Sequence, residues 1–375
     1  MSGGQRPAPL VLMGAPAADE APFGSYAAVL ATGRHLLAAE LSQRLARQRA
    51  AVQLIPPSEA GPFHWGSWYA GAARAALDEG GDRVDALGWV GAGALALLAD
   101  AALDALVSPI AGEVVTNNRF SSDAFVVAGD LSAALGVLAG LGADNGAPRA
   151  LEAAGFTVRD LSVAPWTRFD VDTPLDLALL RLATRVAGTR TLDPAIAAFL
   201  EGTQLPGGRP LEIPRLEDLL AVLRNRNAEL VVAGRVPSST FAYLEEQAAC
   251  RVRLFVEERG MRAAPAHRPR SLLGDWVSEH GGASLVEHLT TLGDAVIIDT
   301  RVVMAALAGS SDAAAWPSPE ERYASDFGDS SPIATPWLRE LTVAAASASV
   351  PFLLGAHTLV SDGLRILTDA AWLGR

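Results

Sequence analysis

Short apolar runs that alternate with helical segments constrain the fold of this chain more than any other feature. In the first half such runs lie at residues 10–13, 86–90 and 124–128, and in the second half at residues 229–233 and 295–298. Runs this short and this apolar are typical of strands buried on both faces, and the helical segments between them suit crossover connections. The pattern predicts an α/β fold in which helices cover a parallel-rich sheet in three layers.

Composition excludes several classes of function. The chain has 375 residues, half of them apolar, and a net charge of −12, which argues against a nucleic-acid partner because such proteins need a basic face. All of the basic residues are Arg, so the lysine of a phosphate-loop NTPase and the lysine of Schiff-base chemistry are both missing. The single cysteine, Cys250, cannot form an internal disulfide and does not belong to a zinc-binding cluster of cysteines.

The distribution of breakers and apolar runs predicts domain organisation and location. Residues 201–214 are rich in Gly and Pro, so we predict a linker between a domain at 1–200 and a smaller α/β domain at 215–375. Residues 309–335, rich in Ser, Asp and Pro, are interpreted as a long loop that could act as a lid. No convincing signal peptide or membrane-spanning run is found, which predicts a cytoplasmic protein without a membrane partner. The apolar richness suggests a homodimer as a hypothesis.

Two carboxylates that lie one residue apart, Asp170 and Asp172, precede a helix start. In an extended backbone they point to the same side, and such a pair of hard oxygen ligands suits Mg²⁺. Thr173 is a suitable N-cap, Pro174 suits the first helical position, and Asp176 lies near the positive end of the helix dipole. The spacing alone leaves two interpretations open, a metal site and a well-built strand-to-helix turn.

Three motifs resemble parts of a known family. Residues 170–177 resemble the closing motif of the nucleotidyltransferases that act on molybdenum cofactor or on phospholactate, which share the nucleotide-diphospho-sugar transferase fold. Residues 144–151 resemble a helix start of that family, and residues 33–37 resemble the step after its first phosphate loop. The resemblance covers the first half of the chain. It implies a three-layer domain that binds a nucleotide.

The resemblance also implies residue roles. Asp170 and Asp172 would hold Mg²⁺, and Arg34, Arg119 and Arg149 would contact phosphates. The chain departs from the family at two places. The stretch that corresponds to the phosphate loop, residues 14–20, is acidic, and the strand at 86–90 is followed by Gly91 without a carboxylate. The resemblance therefore implies the fold more directly than the activity.

A polar loop follows the apolar run at residues 114–116. It contains Asn117, Asn118, Arg119 and Asp123, whose short polar side chains could bind a sugar or a phosphate. The same residues could instead hydrogen-bond the backbone of their own loop through Asx and Ser turns. We predict a substrate-binding loop and keep the second interpretation as its alternative.

Charged residues follow the predicted strands of the second half. They are Arg235, Arg259, Asp299, Arg301 and His357. Because ligands of open parallel sheets bind outside the carboxyl ends of the strands, these side chains predict an anion pocket. His357 is the candidate general acid or base, with Arg259 and Asp299 as further catalytic candidates and Arg235 and Arg301 as substrate contacts. The alternative is that they are ordinary solvated strand ends.

Three hypotheses for function follow. The first is a Mg²⁺-dependent nucleotidyltransferase-like protein that binds a nucleotide and a small phosphorylated or carboxylated metabolite. In the second, the first domain is a degenerate transferase that serves as a scaffold, and the second domain carries the chemistry. The third is a non-catalytic nucleotide- or metabolite-binding protein whose halves form an assembly interface. Whether the chain is an enzyme stays open among them.

Overall fold

The chain has a mixed α/β architecture, which confirms the predicted fold class. The computed structural model describes residues 8–14, 22, 24–55, 63–80, 84–186, 188–258 and 267–373. The strands are β1 (Leu10–Gly14), β2 (Ala51–Ile55), β3 (Ala86–Val90), β4 (Glu113–Thr116), β5 (Ala124–Ala128), β6 (Thr157–Asp160), β7 (Gln204–Leu205), β8 (Arg209–Pro210), β9 (Glu229–Gly234), β10 (Arg251–Val256), β11 (Ala295–Asp299) and β12 (Phe352–Gly355).

Helices connect most of these strands. They are α1 (Tyr26–Arg47), α2 (Trp65–Gly80), α3 (Asp100–Leu106), α4 (Leu131–Leu138), α5 (Ala147–Ala153), α6 (Pro174–Ala183), α7 (Pro194–Gly202), α8 (Leu216–Leu223), α9 (Ser238–Gln247), α10 (Leu272–His280), α11 (Gly282–Thr290), α12 (Thr300–Ala308), α13 (Pro319–Asp326), α14 (Pro336–Ser347) and α15 (Asp362–Ala370). Among the described residues, no helix is both long enough and apolar enough to span a bilayer.

The chain forms two compact units. The first lies within residues 1–20 and 34–170, and the second within residues 21–33 and 171–375. The predicted linker at 201–214 belongs to the second unit, where β7 and β8 pair antiparallel and Leu205, Leu211 and Ile213 are buried. Pro206, Gly207 and Gly208 form the short turn between these two strands.

The first unit contains a six-stranded sheet in the order β2-β1-β3-β5-β4-β6. Strand β5 runs antiparallel to both of its neighbours, and the other pairs are parallel. The chain leaves β1 for β2 on one side, whereas β3 pairs with β1 on the other. Strands β1 and β3 therefore flank a topological switch point, where open α/β sheets bind their ligands.

Side chains that alternate along β1 fill two cores. Leu12 packs in one cluster with Trp65 and Tyr69 of α2, whereas Met13 packs in another with Leu45 of α1. Successive strand residues point to opposite faces, so helices cover both faces of this sheet and give three layers. Burial of each large apolar side chain contributes about 1.5–3 kcal/mol to stability.

The second unit contains a four-stranded, fully parallel sheet in the order β10-β9-β11-β12. Every residue of β11 is buried, as expected of a central parallel strand. Helix α15 packs with α6, α8 and α9, while α10 and α14 pack with α11, and α10 also with α12. Because the chain leaves β9 toward β10 and leaves β11 toward β12, a switch point lies between β9 and β11.

Helix α1 differs from its prediction. The sequence pattern predicts a helix from residue 34 that follows a loop, but α1 begins at Tyr26 and Gly33 lies inside it. A Cβ atom at Gly33 would lie 2.7 Å from a methyl group of Leu177, so this glycine permits close packing of the helix. Arg34, predicted to follow a phosphate loop, is therefore a half-buried residue within a helix.

The long loop predicted at 309–335 is wrong, because this segment contains α13. Ser318 and Glu321 form a capping box at its start, and Glu321 also accepts hydrogen bonds from the amides of Ala334 and Thr335 at 2.9 and 2.7 Å. Burial alone would raise the pKa of Glu321, but hydrogen bonds from Thr335 and Ser318 lower it to about 2. The Glu321 carboxylate thus links the start of α13 to the last residues of this segment.

Candidate functional site

The carboxyl edge of the first sheet contains one of the predicted metal ligands. Asp170 forms an isolated antiparallel bridge with Ala94, which lies four residues beyond the end of β3. The amide of Gly91, directly after β3, donates a hydrogen bond to the carbonyl of Asp123 at 2.9 Å. Asp170 is half-buried beside the segment that follows the central strand, at the edge where the β1–β3 switch point lies.

The turn that begins the second unit contains Asp172 and Asp176. Asp172 is exposed, whereas Asp176 is fully buried, and its Oδ2 accepts hydrogen bonds from the amides of Asp172 and Thr173 at 3.0 and 2.7 Å. Thr173 and Asp176 form a capping box on α6, which confirms Thr173 as the N-cap. The turn interpretation therefore describes Asp176, and the Asp172 carboxylate remains accessible to solvent.

The environment of Asp176 disfavours its charged form. Burial raises the pKa of Asp176 well above its usual value, and the charge of Asp172 raises it further, while hydrogen bonds from Thr173 and the Asp172 amide oppose the shift. Its Oδ1 is buried and makes no hydrogen bond to the residues that the structure describes. Asp176 is thus a structural carboxyl group whose ionisation opposes folding.

A metal at Asp170 and Asp172 would depend on few protein ligands. Within the described ranges, no group of three or more His, Cys, Asp or Glu side chains could hold a metal ion. Mg²⁺ commonly binds through one or two carboxylates and completes its shell with water and phosphate oxygens. Two carboxylates would therefore leave most of the shell of a Mg²⁺ ion to water and phosphate oxygens, and they are too few for a structural zinc site.

The predicted substrate loop after β4 is largely closed on itself. Asn117 is buried, and its Oδ1 accepts hydrogen bonds from the amides of Asp123 and Ala124, both at 3.1 Å. Its Nδ2 donates to the carbonyl of Thr167 at 2.9 Å. Asn118 accepts from the amide of Phe120 at 3.2 Å in an Asx turn. Both amide side chains therefore hydrogen-bond the main chain, as the alternative interpretation of this loop predicts.

The three arginines predicted to contact phosphates come from separate elements. Arg119 lies in the same loop and forms an ion pair in which its Nη2 donates to both carboxylate oxygens of Glu152, at 2.6 and 2.7 Å. Arg149 lies in the first turn of α5 and Arg34 lies within α1, and both are half-buried. Residues 15–20, which correspond to the phosphate loop, lie outside the described residues.

The carboxyl edge of the second sheet brings several predicted residues together. Asp299 is fully buried and accepts hydrogen bonds from Arg235, with Nε to Oδ2 at 2.6 Å and Nη2 to Oδ1 at 3.1 Å. Its Oδ1 also accepts from the amide of Arg301 at 3.1 Å, so Asp299 is the N-cap of α12. Burial alone would raise the pKa of Asp299, but Arg235, His357 and Arg301 together hold it below its usual value.

Arg301 belongs to a second buried ion pair. Its Nη1 and Nη2 donate to Asp326 at 2.6 and 2.7 Å, and Nη1 also donates to the Thr300 hydroxyl at 2.8 Å. Burial alone would lower the pKa of Arg301, but the charge and hydrogen bonds of Asp326 raise it. The side chain of Arg301, predicted as a substrate contact, is only 6% exposed and is held inside the unit.

His357 lies at the same edge. Gly355 pairs in register with Asp299, and His357 follows two residues later in a half-buried position. Arg259, the remaining catalytic candidate, lies outside the described residues. Asp326, which completes the network, is in α13, so a capping-box signal at Ser318 and Glu321 could have located its helix.

Comparisons with protein-family models, with curated proteins and with solved structures find no match for this chain. The resemblance to nucleotidyltransferases therefore stays a prediction from the sequence motifs.

Proposed function

We propose that the N-terminal half of the chain binds a nucleotide with Mg²⁺ in the manner of a nucleotidyltransferase, together with a small phosphorylated or carboxylated metabolite. The bridge between Asp170 and Ala94 is the observation that carries this proposal. The bridge lies at the carboxyl edge of the first sheet, which has a switch point between β1 and β3. Ligands of open α/β sheets bind at such edges.

The proposed metal ligands are Asp170 and Asp172. Mg²⁺ bound there would neutralise the charge of a nucleotide's phosphate groups. Arg34, Arg119 and Arg149 are the proposed phosphate contacts, because a guanidinium group forms paired hydrogen bonds with phosphate oxygens. Arg119 would have to exchange Glu152 for the ligand, and a partly exposed ion pair of this kind contributes only about 0–1 kcal/mol.

One observation favours a second candidate, in which the first unit is a degenerate transferase that serves as a scaffold. Residues 14–20 contain Asp19 and Glu20, and no basic residue occurs between them and Arg34. Acidic side chains repel a triphosphate unless a metal lies between them. Under this candidate, nucleotide transfer is absent and any chemistry belongs to the second unit.

Calorimetric titration with ATP, GTP and CTP, each with Mg²⁺ or with EDTA, tests the proposal. We expect one nucleotide to bind only with Mg²⁺, and we expect Asp170→Asn and Asp172→Asn each to weaken binding at least about tenfold, since each removes a metal ligand. Asp104→Asn, an exposed carboxylate of α3, is the matched control and should leave affinity within about twofold.

Two results would contradict the proposal: no nucleotide binds, or binding is the same in EDTA and in both aspartate variants. A pyrophosphate-release assay with the nucleotide that binds then separates the two candidates. Release would support transfer activity, whereas Mg²⁺-dependent binding without release in the presence of phosphorylated and carboxylated acceptors would support the scaffold candidate.

A further inference from the structure

The second sheet has a switch point of its own, between β9 and β11, and charged residues gather there. Gly234 ends β9 with a φ of +120°, and a Cβ atom at this position would lie 2.5 Å from the Cβ of Asp299. The close approach of the two strand ends places Arg235, the next residue, directly on Asp299. This is the edge at which an open parallel sheet is expected to bind a ligand.

Folding alone gives a weak reason for the charges at this edge. The pairs Arg235–Asp299 and Arg301–Asp326 both contain a carboxylate with no exposed surface. Desolvation of each ion costs several kcal/mol, and well-packed apolar residues of similar volume are often equally stable or more stable. Two such pairs at a ligand-binding edge therefore point to a role beyond stability.

The two arginines differ in whether their guanidinium groups keep hydrogen-bond donors available for a ligand. Arg301 directs both of its terminal nitrogens into the unit, toward Asp326 and Thr300. Arg235 uses Nε and Nη2 for Asp299, and its Nη1 has no hydrogen-bond partner among the residues that the structure describes. Its side chain keeps 13% of its surface exposed. Asp299 thus fixes the orientation of a guanidinium group that still has donors to offer.

We propose that the carboxyl edge of the second sheet is a separate binding site for a small metabolite that carries a phosphate or a carboxylate, with Arg235 as its anion contact. A guanidinium group held by a carboxylate on one side binds an oxyanion on the other with little further loss of side-chain entropy. His357 follows the register partner of Asp299 and interacts electrostatically with that carboxylate, so it supplies a second cationic donor to this edge when it is protonated. The site does not depend on the nucleotide proposed for the first unit.

The test is calorimetric titration of the full chain without Mg²⁺, with inorganic phosphate in one arm and succinate in the other, at constant ionic strength. We expect one of these anions to bind at a single site. Arg235→Lys should weaken it at least about tenfold, because an ammonium group cannot bridge Asp299 and an oxyanion in the same geometry. This variant keeps a positive charge beside the buried Asp299, so it preserves the charge balance of the folded unit.

Arg251→Lys is the matched control, since Arg251 begins β10 and is 71% exposed on the same sheet. It should leave affinity within about twofold. His357→Gln is the second variant, because it tests the same edge without leaving a buried charge unpaired, and we expect about a threefold to tenfold loss. Asp172→Asn should bind the anion normally, which separates this site from the nucleotide proposal.

The outcomes of this titration identify the class of metabolite or overturn the proposal. Binding of phosphate alone, lost in Arg235→Lys, supports a phosphorylated metabolite, and binding of succinate alone supports a carboxylated one. The proposal is overturned if neither anion binds to the wild-type chain. It is also overturned if Arg235→Lys and His357→Gln bind as well as the wild type, or if Arg251→Lys weakens binding as much as Arg235→Lys does.

Discussion

The polar residues at the carboxyl edges of the two sheets are used in opposite ways. In the first unit, the side-chain amide of Asn117 forms hydrogen bonds with the amides of Asp123 and Ala124 and with the carbonyl of Thr167. In the second unit, Asp299 and Asp326 pair with arginine side chains in a buried network. The first arrangement shapes a loop, whereas the second holds charges inside the protein.

This difference predicts how much stability is lost when each of these side chains is removed. The main-chain groups freed by the loss of Asn117 are buried but neutral, so each lost hydrogen bond exposes only an unpaired dipole. A guanidinium group freed by the loss of Asp326 stays buried with its full charge, and nothing of comparable strength replaces the carboxylate. Deletions at the two edges should therefore differ in cost, and each can be measured by urea unfolding.

The largest effect should come from Asp326→Ala. It leaves the buried Arg301 without its counter-charge, which typically costs about 3–5 kcal/mol of unfolding free energy. Asp218→Ala removes an exposed carboxylate that pairs with Arg215, and this control should cost no more than about 1 kcal/mol. If the two variants unfold at the same urea concentration, Arg301 has another way to satisfy its charge and the contrast between the edges fails.

A smaller loss is expected for Asn117→Ala. It removes an acceptor for the amides of Asp123 and Ala124 and a donor for Thr167, and we expect a cost of about 2–3 kcal/mol. Asn118→Ala, in the same loop but with one Asx hydrogen bond, should cost about 1 kcal/mol or less. A cost for Asn117→Ala above that of Asp326→Ala would reverse the comparison.

Much of the strand framework could be predicted from the sequence. The bounds of β3 and β5 agree with the apolar runs at 86–90 and 124–128, because glycine or polar residues end both runs. Helix α13 was missed because its Ser, Asp and Pro content resembles a loop, although Ser318 and Glu321 carry a capping signal. The resemblance of residues 33–37 to the step after a phosphate loop predicts the start of α1 too late, whereas Gly33 lies inside the helix as a close-packing residue.

The candidate sites could be predicted only in part. The rule for parallel sheets predicts Arg235, Asp299, Arg301 and His357 at one edge, and the structure has them close together there, while their role in binding stays a prediction. It could not say which arginine is buried, because that depends on Asp326, which comes from a helix 25 residues away in the sequence. Neither could local spacing reveal that Asp176, and not Asp172, is the carboxylate enclosed by main-chain amides.

The smallest expected effect concerns the pH dependence of stability, and it separates Asp176 from the charged pairs of the second sheet. Because the pKa of Asp176 is raised in the folded state, the folded chain binds more protons than the unfolded chain at pH values above the usual 3.8. Its contribution to stability must therefore fall as the pH rises through that window. Asp299, whose pKa is lowered, has the opposite sign and stabilises the fold more as the pH rises.

Asp176→Asn removes the first contribution and keeps an acceptor for the Thr173 amide. We expect its unfolding free energy to gain more between pH 4 and pH 7 than that of the wild type. Parallel curves for Asp176→Asn and the wild type would mean that Asp176 titrates alike in both states. In that case the hydrogen bonds to Asp176 would fully offset the cost of burying its charge. Asp176 and Asp299 would then differ in their hydrogen-bond partners and not in how ionisation affects stability.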